Sequence, residues 1–179
     1  EKLNIFEYGV VKTPERTPLF KWIGIVGPAE QVLFALSGRK IRIEKLEDLK
    51  NYIIGTARED VVDQYLRPLE DSIGFKTDTV ASYKKNMRKL FKGRFDFWAG
   101  NRLVGYHLAE SLGHKMNEIE VVYTFHELTD YYYLITNKKT PEKNVKKLRK
   151  AFEIIHNNGI YEKIVREHID RAHSHFPGL

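Results

Sequence analysis

Short apolar runs alternate along this chain with segments whose apolar residues recur at helical spacing. The segment 60–69, for example, places five apolar residues from Val61 to Leu69 at that spacing. Strands that alternate with helices predict an α/β fold, with a mostly parallel sheet and helices on its faces. The predicted strands are Gln31–Leu36, Tyr52–Thr56, Thr77–Val80, Phe95–Trp98, Glu120–Phe125 and Tyr131–Ile135. The predicted helices are Ile43–Lys50, Asp60–Leu69, Ser82–Lys92, Asn101–Leu112, Pro141–Asn157 and a closing helix from Ile160.

The first residues predict a buried strand that leads directly into a helix. The apolar run Leu3–Phe6 is followed by Thr13, which suits the cap of a helix, and by Pro14, which suits its first position. Arg16 then lies in a strand-to-helix turn, and α/β sheets bind ligands at such turns. A guanidinium can hold a carboxylate there through two parallel hydrogen bonds. The alternative is a surface arginine paired with a nearby glutamate.

Composition excludes several classes of function. The 179 residues contain no cysteine, which removes disulfides, thiolate zinc sites and thiol nucleophiles. The net charge of +6 could indicate a protein that binds nucleic acid. However, the lysines are spread along the predicted helices at 84–92 and 138–150 without any nucleic-acid-binding motif, so a solvated basic surface is the better interpretation. No apolar run approaches the roughly 20 residues of a membrane helix, and no P-loop, dinucleotide fingerprint or Gly-x-Ser-x-Gly elbow occurs.

Four motifs occur in the order and with the spacing of one known family. They are Gly9–Arg16 with its continuation Phe20–Gly24, Leu46–Gly55, Leu90–Asp96 and Asn158–Ile164. In these motifs the chain resembles the type 2 periplasmic solute-binding proteins of extracellular solute-binding family 3, the receptors of polar amino-acid ABC importers. The resemblance covers nearly the whole chain. It implies a two-lobed α/β fold that holds a solute between lobes and closes on it by a hinge motion.

The resemblance also implies how the chain divides. Residues 1–30 would form part of lobe 1 up to the first crossing, 31–130 a complete lobe 2, and 131–179 the return crossing with the C-terminal helices of lobe 1. Members of the family carry about two βα units before the turn that contains Arg16, so we expect an N-terminally incomplete chain with a processed or truncated start. The expected location is periplasmic or otherwise extracytoplasmic, and the expected partner is an ABC transporter permease.

In the lobe 1 segments the resemblance points to three ligand-binding residues. Arg16 matches the arginine that holds the carboxylate of the solute. Thr13 belongs with it, and its hydroxyl caps the helix, contacts the solute or does both. Val11 stands where the family often has a hydroxyl, which removes one hydrogen bond to the solute. In the return crossing, alternation separates Tyr132 from the tyrosines on either side, so at least one phenol faces the solute unless all of them pack at the hinge.

In the lobe 2 segment the resemblance points to two further groups. Arg58, Glu59 and Asp60 replace a small segment that binds carboxylate in the family, and the two acids either cap their helix or favour an amine over an anion. Asn101 matches an aspartate that binds the α-ammonium, and it caps the next helix or contacts the solute. Trp98 stacks on the solute, covers a cation or belongs to the core. These departures argue against a standard α-amino acid as the solute.

Three functions from different classes follow. The first is a receptor, without enzymatic activity or cofactor, that binds a small polar solute bearing a carboxylate for an ABC importer. The second is the sensing domain of a signalling protein. The third is a dehydratase-like enzyme, for which Glu59 is the candidate general acid. Asp96 is interpreted as structural, and no resident metal is expected at His168, His173 and His175.

Overall fold

The computed structural model describes residues 3–128, 130–164, 166 and 167. The chain divides into two compact units. One unit, called here the terminal unit, contains the segment up to Ala29 and the segment from Asp130 onward; the other, the central unit, is the intervening chain from Glu30. Each unit contains its own sheet.

Strands and helices alternate along the chain, as expected for an α/β protein. The strands are β1 (Phe6–Val11), β2 (Phe20–Ala29), β3 (Gln31–Leu36), β4 (Ile53–Ala57), β5 (Lys76–Val80), β6 (Phe97–Asn101), β7 (Ile119–Thr124) and β8 (Asp130–Asn137). The helices are α1 (Val61–Leu66), α2 (Glu70–Ile73), α3 (Tyr83–Phe91), α4 (Arg102–Ser111) and α5 (Glu142–Asn157). Residues 160–164 are also helical.

The central unit is built on a five-stranded sheet in the order β5-β4-β6-β3-β7. β4 is parallel to β5 and β6, whereas β3 is antiparallel to β6 and β7. The expectation of a mostly parallel sheet is therefore wrong. Helical crossovers join β4, β5, β6 and β7, which all run in one direction, but β3 precedes those crossovers and lies between β6 and β7 in the opposite direction.

One apolar cluster of the central unit lies between this sheet and the helices α3 and α4. Phe34 of β3 and Trp98 of β6 are stacked with their ring centroids 5.7 Å apart, and both are fully buried. Met87 and Leu90 of α3 and Ala109 of α4 pack against them. These packed side chains hold β3 and β6 against each other. They therefore also fix the position of the carboxyl end of β6.

The terminal unit is built on a three-stranded sheet in the order β1-β8-β2, with both pairs antiparallel. α5 packs on β2, and a side chain at Gly24 would overlap the Phe152 ring of α5. The Arg149 guanidinium of α5 also donates to the Trp22 carbonyl at 2.9 Å. β2 was not among the predicted strands, because it contains two glycines and Pro28; the chain tolerates that proline since β2 is an edge of its sheet.

The helix predicted after Thr13 is a single turn. The Thr17 N–H donates to the Thr13 carbonyl at 2.8 Å, and a 3₁₀ segment, Thr17–Leu19, follows. Pro18 has no N–H to continue an α-helix, so the segment ends before β2. The preceding strand was predicted as buried, but residues 6–9 of β1 are exposed.

Three other predicted elements differ from the structure. The helix expected at 43–50 is the 3₁₀ segment Leu46–Leu49. The helix expected at 60–69 ends as α1 at Leu66 and continues as a 3₁₀ segment, because Pro68 cannot donate the next helical hydrogen bond. The strand expected at 95–98 begins two residues later, since the Asp96 carboxylate is held in a loop by Arg39 and by the Ile53 N–H. Asp96 is thus structural, as interpreted from the sequence.

Candidate functional site

Three helices begin at one edge of the central sheet. The carboxyl ends of the parallel strands β5, β4 and β6 meet there. The side chains of Asp60, Ser82 and Asn101 cap the helices that follow β4, β5 and β6, each accepting a hydrogen bond from a first-turn N–H at 3.0, 3.4 and 3.2 Å. Edges of this type bind ligands in α/β sheets. We call this edge the strand-end site and define it by residues 57–60, 80–83 and 98–101.

The turn after β4 has an unusual backbone conformation. Its Asp60 N–H donates to the Ala57 carbonyl at 3.1 Å. Glu59 has a φ of 62°, in the left-handed region that non-glycine residues rarely adopt. Arg58 and Glu59 are exposed, and Asp60 caps α1 while also accepting a hydrogen bond from the Tyr83 hydroxyl. The turn therefore presents charges of both signs, and contact of Arg58 and Glu59 with a solute stays a prediction.

Asp63 lies beneath this turn, in α1, and is only 2% exposed. Its carboxylate accepts hydrogen bonds from the hydroxyls of Thr56 and Thr79 at 2.7 and 2.9 Å and from the Arg67 guanidinium at 2.9 Å. It also accepts one from the Glu59 N–H at 3.3 Å. Burial alone would raise the pKa of Asp63, but the hydrogen bonds from Thr56, Arg67 and Thr79 outweigh it and lower that pKa.

Trp98 belongs to the core and not to the surface of the site. Its ring is fully buried, stacks on Phe34 and meets the Tyr83 ring edge-on at 6.2 Å. Of the alternatives expected for Trp98, the core position is the one observed, because β6 extends to Asn101 and Trp98 is its second residue rather than its last. A side chain at Gly100 would overlap the indole, so the backbone comes close to the ring at this point.

Asn101 uses both ends of its amide within the protein. Its oxygen accepts from the Val104 N–H, and its nitrogen donates to the Glu30 carbonyl at 3.2 Å. Glu30 is in turn paired with the Arg102 guanidinium at 2.7 Å. Asn101 caps α4, which is one of the two roles expected from the sequence. A hydrogen bond from Asn101 to a solute stays a prediction.

In the terminal unit, Thr13 caps the turn that carries Arg16. The Thr13 hydroxyl oxygen accepts from the Arg16 N–H at 3.2 Å. Hydrogen bonds from the backbone and from the Thr13 side chain lower the pKa of Glu15. The Arg16 side chain is partly exposed. Thr13 therefore has the structural role expected of it, while solute binding by Thr13 and Arg16 stays a prediction.

The three tyrosines of β8 alternate between faces as expected. Tyr133 meets Trp22 edge-on at 5.3 Å, and the Lys12 ammonium lies 5.6 Å from the centre of the Trp22 ring. Tyr132 is half-buried and lies opposite Val11 of β1 in the sheet. Tyr132 is thus close in the sheet to the strand that leads to Thr13.

The structure places the predicted residues in two groups. Arg58, Glu59 and Asn101 lie at the strand-end site of the central unit; the members in the terminal unit are Thr13, Arg16 and Tyr132. Sequence reasoning missed Tyr83, which donates to Asp60. A signal for it existed, because Ser82 was predicted to cap the helix after β5 and Tyr83 is the next residue.

In the part of the chain that the structure describes, no group of three or more His, Asp or Glu residues could hold a metal ion. His168, His173 and His175 lie outside the described residues. Across the same described ranges, no helix is long and apolar enough to cross a membrane.

The chain matches the model of a known protein family. The model of the family described as NMT1/THI5 like matches residues 25–161, which is more than half of the chain. No curated protein sequence matches the chain.

Solved structures of several two-lobed binding proteins resemble the chain. An ancestral arginine-binding protein bound to arginine superimposes with a TM-score of 0.75 at 21% identity, covering 89% of this chain and 68% of its own. An amino-acid ABC transporter substrate-binding protein from Streptococcus pneumoniae bound to L-arginine gives 0.75 at 16%, with 89% and 65% covered. A histidine kinase sensor domain similar to periplasmic binding proteins gives 0.77 at 15%, with 90% and 68% covered. The chain thus spans about two thirds of the length of these structures and has the type 2 periplasmic binding protein fold that the motifs predicted.

Proposed function

Because the chain belongs to the NMT1/THI5-like family, we propose that it is the solute-binding part of an extracytoplasmic receptor that captures a small polar solute for an ABC importer. Its fold is that of proteins whose bound ligands include arginine. The fold alone does not assign a solute, so the argument depends on the residues of this chain.

The observation that carries the proposal is the strand-end site. Three helix starts meet at the carboxyl ends of three neighbouring parallel strands, which is where α/β sheets bind small ligands. Arg58 and Glu59 are exposed there, beside the Tyr83 hydroxyl that is bonded to Asp60. Charged and hydroxyl groups of this kind recognise a polar solute by ion pairs and hydrogen bonds.

We assign the residues as follows. The central unit acts as lobe 2 (31–130), and the segments 1–30 and 131–179 supply lobe 1. Arg16 binds the carboxylate of the solute, since its guanidinium follows a capped turn and is partly exposed. Thr13 and Tyr132 support it from the same unit, and Arg58, Glu59 and Asn101 contribute from the strand-end site.

The remaining assignments concern the setting of the receptor. We assign it to the periplasm or another extracytoplasmic space and propose an ABC transporter permease as its partner.

We assign no catalytic role to Glu59. We expect the wild-type chain to show no turnover of cyclic acids; turnover that is present in the wild type and lost in the Glu59→Gln variant would instead identify an enzyme.

Native mass spectrometry tests the function directly. The chain is purified without refolding and its mass compared with that after denaturation, because tight receptors retain their solute. We expect a non-covalent adduct, whose dissociation constant is then measured by isothermal titration. L-arginine, L-glutamine and glutathione serve as additional probes, because solved structures of this fold are described as bound to arginine, as bound to glutamine and as part of glutathione import. The absence of both an adduct and any titration signal would contradict the proposal.

The likeness to a histidine kinase sensor domain supports a second candidate. In that role the same site binds a solute, but the readout is a signal and not transport. Deletion of the gene distinguishes the two. Loss of uptake of the identified solute indicates the importer receptor, whereas normal uptake with altered solute-dependent transcription indicates the sensor.

A further inference from the structure

The carboxylate of Asp63, beside the strand-end site, accepts hydrogen bonds from four different residues. Its Oδ1 accepts from the Thr56 and Thr79 hydroxyls, and its Oδ2 accepts from the Glu59 N–H. The Arg67 guanidinium contacts both oxygens, at 3.1 and 2.9 Å. A carboxylate this deeply buried is stable in its ionised form only when such donors surround it.

The donors to Asp63 come from β4, from β5, from the turn after β4 and from the residue that follows α1. Thr56 is the penultimate residue of β4, and Thr79 occupies the same level of the neighbouring strand β5. The Thr56 carbonyl also accepts from the amide of Asn86, a fully buried residue of α3. Asp63 therefore fixes α1 to the ends of two strands and, through Thr56, to α3.

The Glu59 N–H bond extends this network to the turn itself. Glu59 has its left-handed φ of 62° in the residue that directly precedes the Asp60 cap. A non-glycine residue in that region is strained and keeps this conformation only when its surroundings hold it there. The bond from the Glu59 N–H to Asp63 Oδ2 is such a restraint, and it comes from a group beneath the turn.

We propose that Asp63 is a positioning residue for solute binding, which holds the 57–60 turn in place through the Glu59 N–H without touching the solute. The inference rests on the proposed function of the strand-end site. Solute contacts need side chains held to within about half an ångström by residues behind them. Asp63 supplies that support, because it bonds to the turn and to both strands beneath it.

The test uses the Asp63→Asn variant of the full chain, which keeps the shape of the side chain and removes its charge. Hydrogen exchange of the Glu59 amide is measured by NMR against the amides of β3. We expect Glu59 to exchange roughly 10- to 100-fold faster relative to β3, because a hydrogen bond to a charged acceptor is lost. We expect affinity for the co-purified solute, or for L-arginine if none co-purifies, to fall by about tenfold or more.

Asp78→Asn is the matched control. Asp78 is a carboxylate of β5 that pairs with Lys89 and is not bonded to the turn. We expect this change to leave both the relative exchange of Glu59 and the affinity near wild type. If Asp63→Asn does not fold, Arg67→Gln replaces it, since the Arg67 side chain is more than half exposed and its loss removes the cationic partner of Asp63. For Arg67→Gln we expect a smaller increase, about threefold, in the exchange rate of the Glu59 amide relative to β3.

The outcomes separate this inference from the proposed function. If the Glu59 amide changes only as much as the amides of β3, Asp63 is merely structural and the inference is wrong. If the turn loosens but affinity is unchanged, the inference is wrong while the receptor function stands. If the wild-type chain binds no solute, the proposed function fails, and solute positioning by Asp63 fails with it.

Discussion

The central and terminal units bury their apolar side chains to different extents. Most of the buried apolar residues belong to the central unit; among the described residues, those of the terminal unit are Val11, Ile23, Ala29, Ile135 and Val145. Exposed large apolar residues have the opposite distribution; those of the terminal unit are Leu3, Ile5, Phe6, Tyr8, Leu19, Val26, Tyr131, Ile154, Ile160 and Ile164. The central unit therefore has a closed core, and the terminal unit exposes apolar surface that a core would bury.

The sheets explain this difference. The central sheet has five strands, with α3 and α4 packed over β3 and β6. The terminal sheet has three strands, and residues 6–9 of its edge strand β1 are exposed on both faces. Stability depends on apolar area removed from water, so substitutions in the central unit should affect folding and those on β1 should affect association.

Phe34→Ala should have the largest effect. Phe34 is fully buried against Trp98, so its removal leaves a cavity and lowers the free energy of unfolding by about 3–5 kcal/mol. The chain contains two tryptophans, and Trp22→Phe leaves Trp98 as the single reporter, inside the central core. Urea unfolding followed by Trp98 fluorescence in that background measures the change. A loss below about 1 kcal/mol would mean that the central unit has no tightly packed core.

Arg16→Ala should affect binding rather than folding, although Arg16 is in the unit with the smaller core. If Arg16 holds a solute carboxylate, its loss costs about 2–5 kcal/mol of binding free energy, or roughly 30-fold or more in affinity. Arg16→Lys should restore only part of it, because an ammonium cannot make two parallel hydrogen bonds. Isothermal titration with the co-purified solute measures both variants. An unchanged dissociation constant for Arg16→Ala would make Arg16 an ordinary surface residue.

A pair of glycine substitutions compares the packing of the two units. A methyl group at Gly105 of α4 would overlap the Phe34 and Trp98 rings, so Gly105→Ala should cost about 1–3 kcal/mol. Nothing lies within 4 Å of the same position at Gly27 of β2, so Gly27→Ala should be neutral or stabilise by less than about 1 kcal/mol. Urea unfolding followed by circular dichroism gives both values. Equal costs would remove the contrast between the units.

The sequence predicts local elements better than their arrangement. β3 was predicted with its observed bounds, and Ser82 and Asn101 cap the helices that they were predicted to cap. These features depend on neighbouring residues alone. The reversed direction of β3 depends on strand order in the sheet, which periodicity does not specify. The same is true of β2, whose proline is tolerated because of its edge position.

In the candidate site, too, local features could be predicted from the sequence, whereas contacts that depend on the arrangement of the strands could not. Asp60 and Asn101 were each weighed as helix caps, and both are caps. Trp98 was expected either to contact the solute or to belong to the core, and it belongs to the core because β6 continues past the predicted end of the strand to Asn101. The role of Asp63 could not be predicted, since its partners Thr56 and Thr79 belong to two strands that meet only in the folded sheet.

Tyr8→Ser should have the smallest effect on stability. Tyr8 is 78% exposed in β1, so its replacement should change the free energy of unfolding by less than about 0.5 kcal/mol. It removes apolar area from an exposed sheet edge, and such edges favour pairing with other chains. We therefore expect less self-association of the chain in sedimentation velocity. The control is Tyr83→Ser, an exposed tyrosine of the central unit, which should leave association unchanged. If both variants associate as the wild type does, the exposed apolar surface of β1 does not drive association, and the contrast between the two units does not extend to their behaviour in solution.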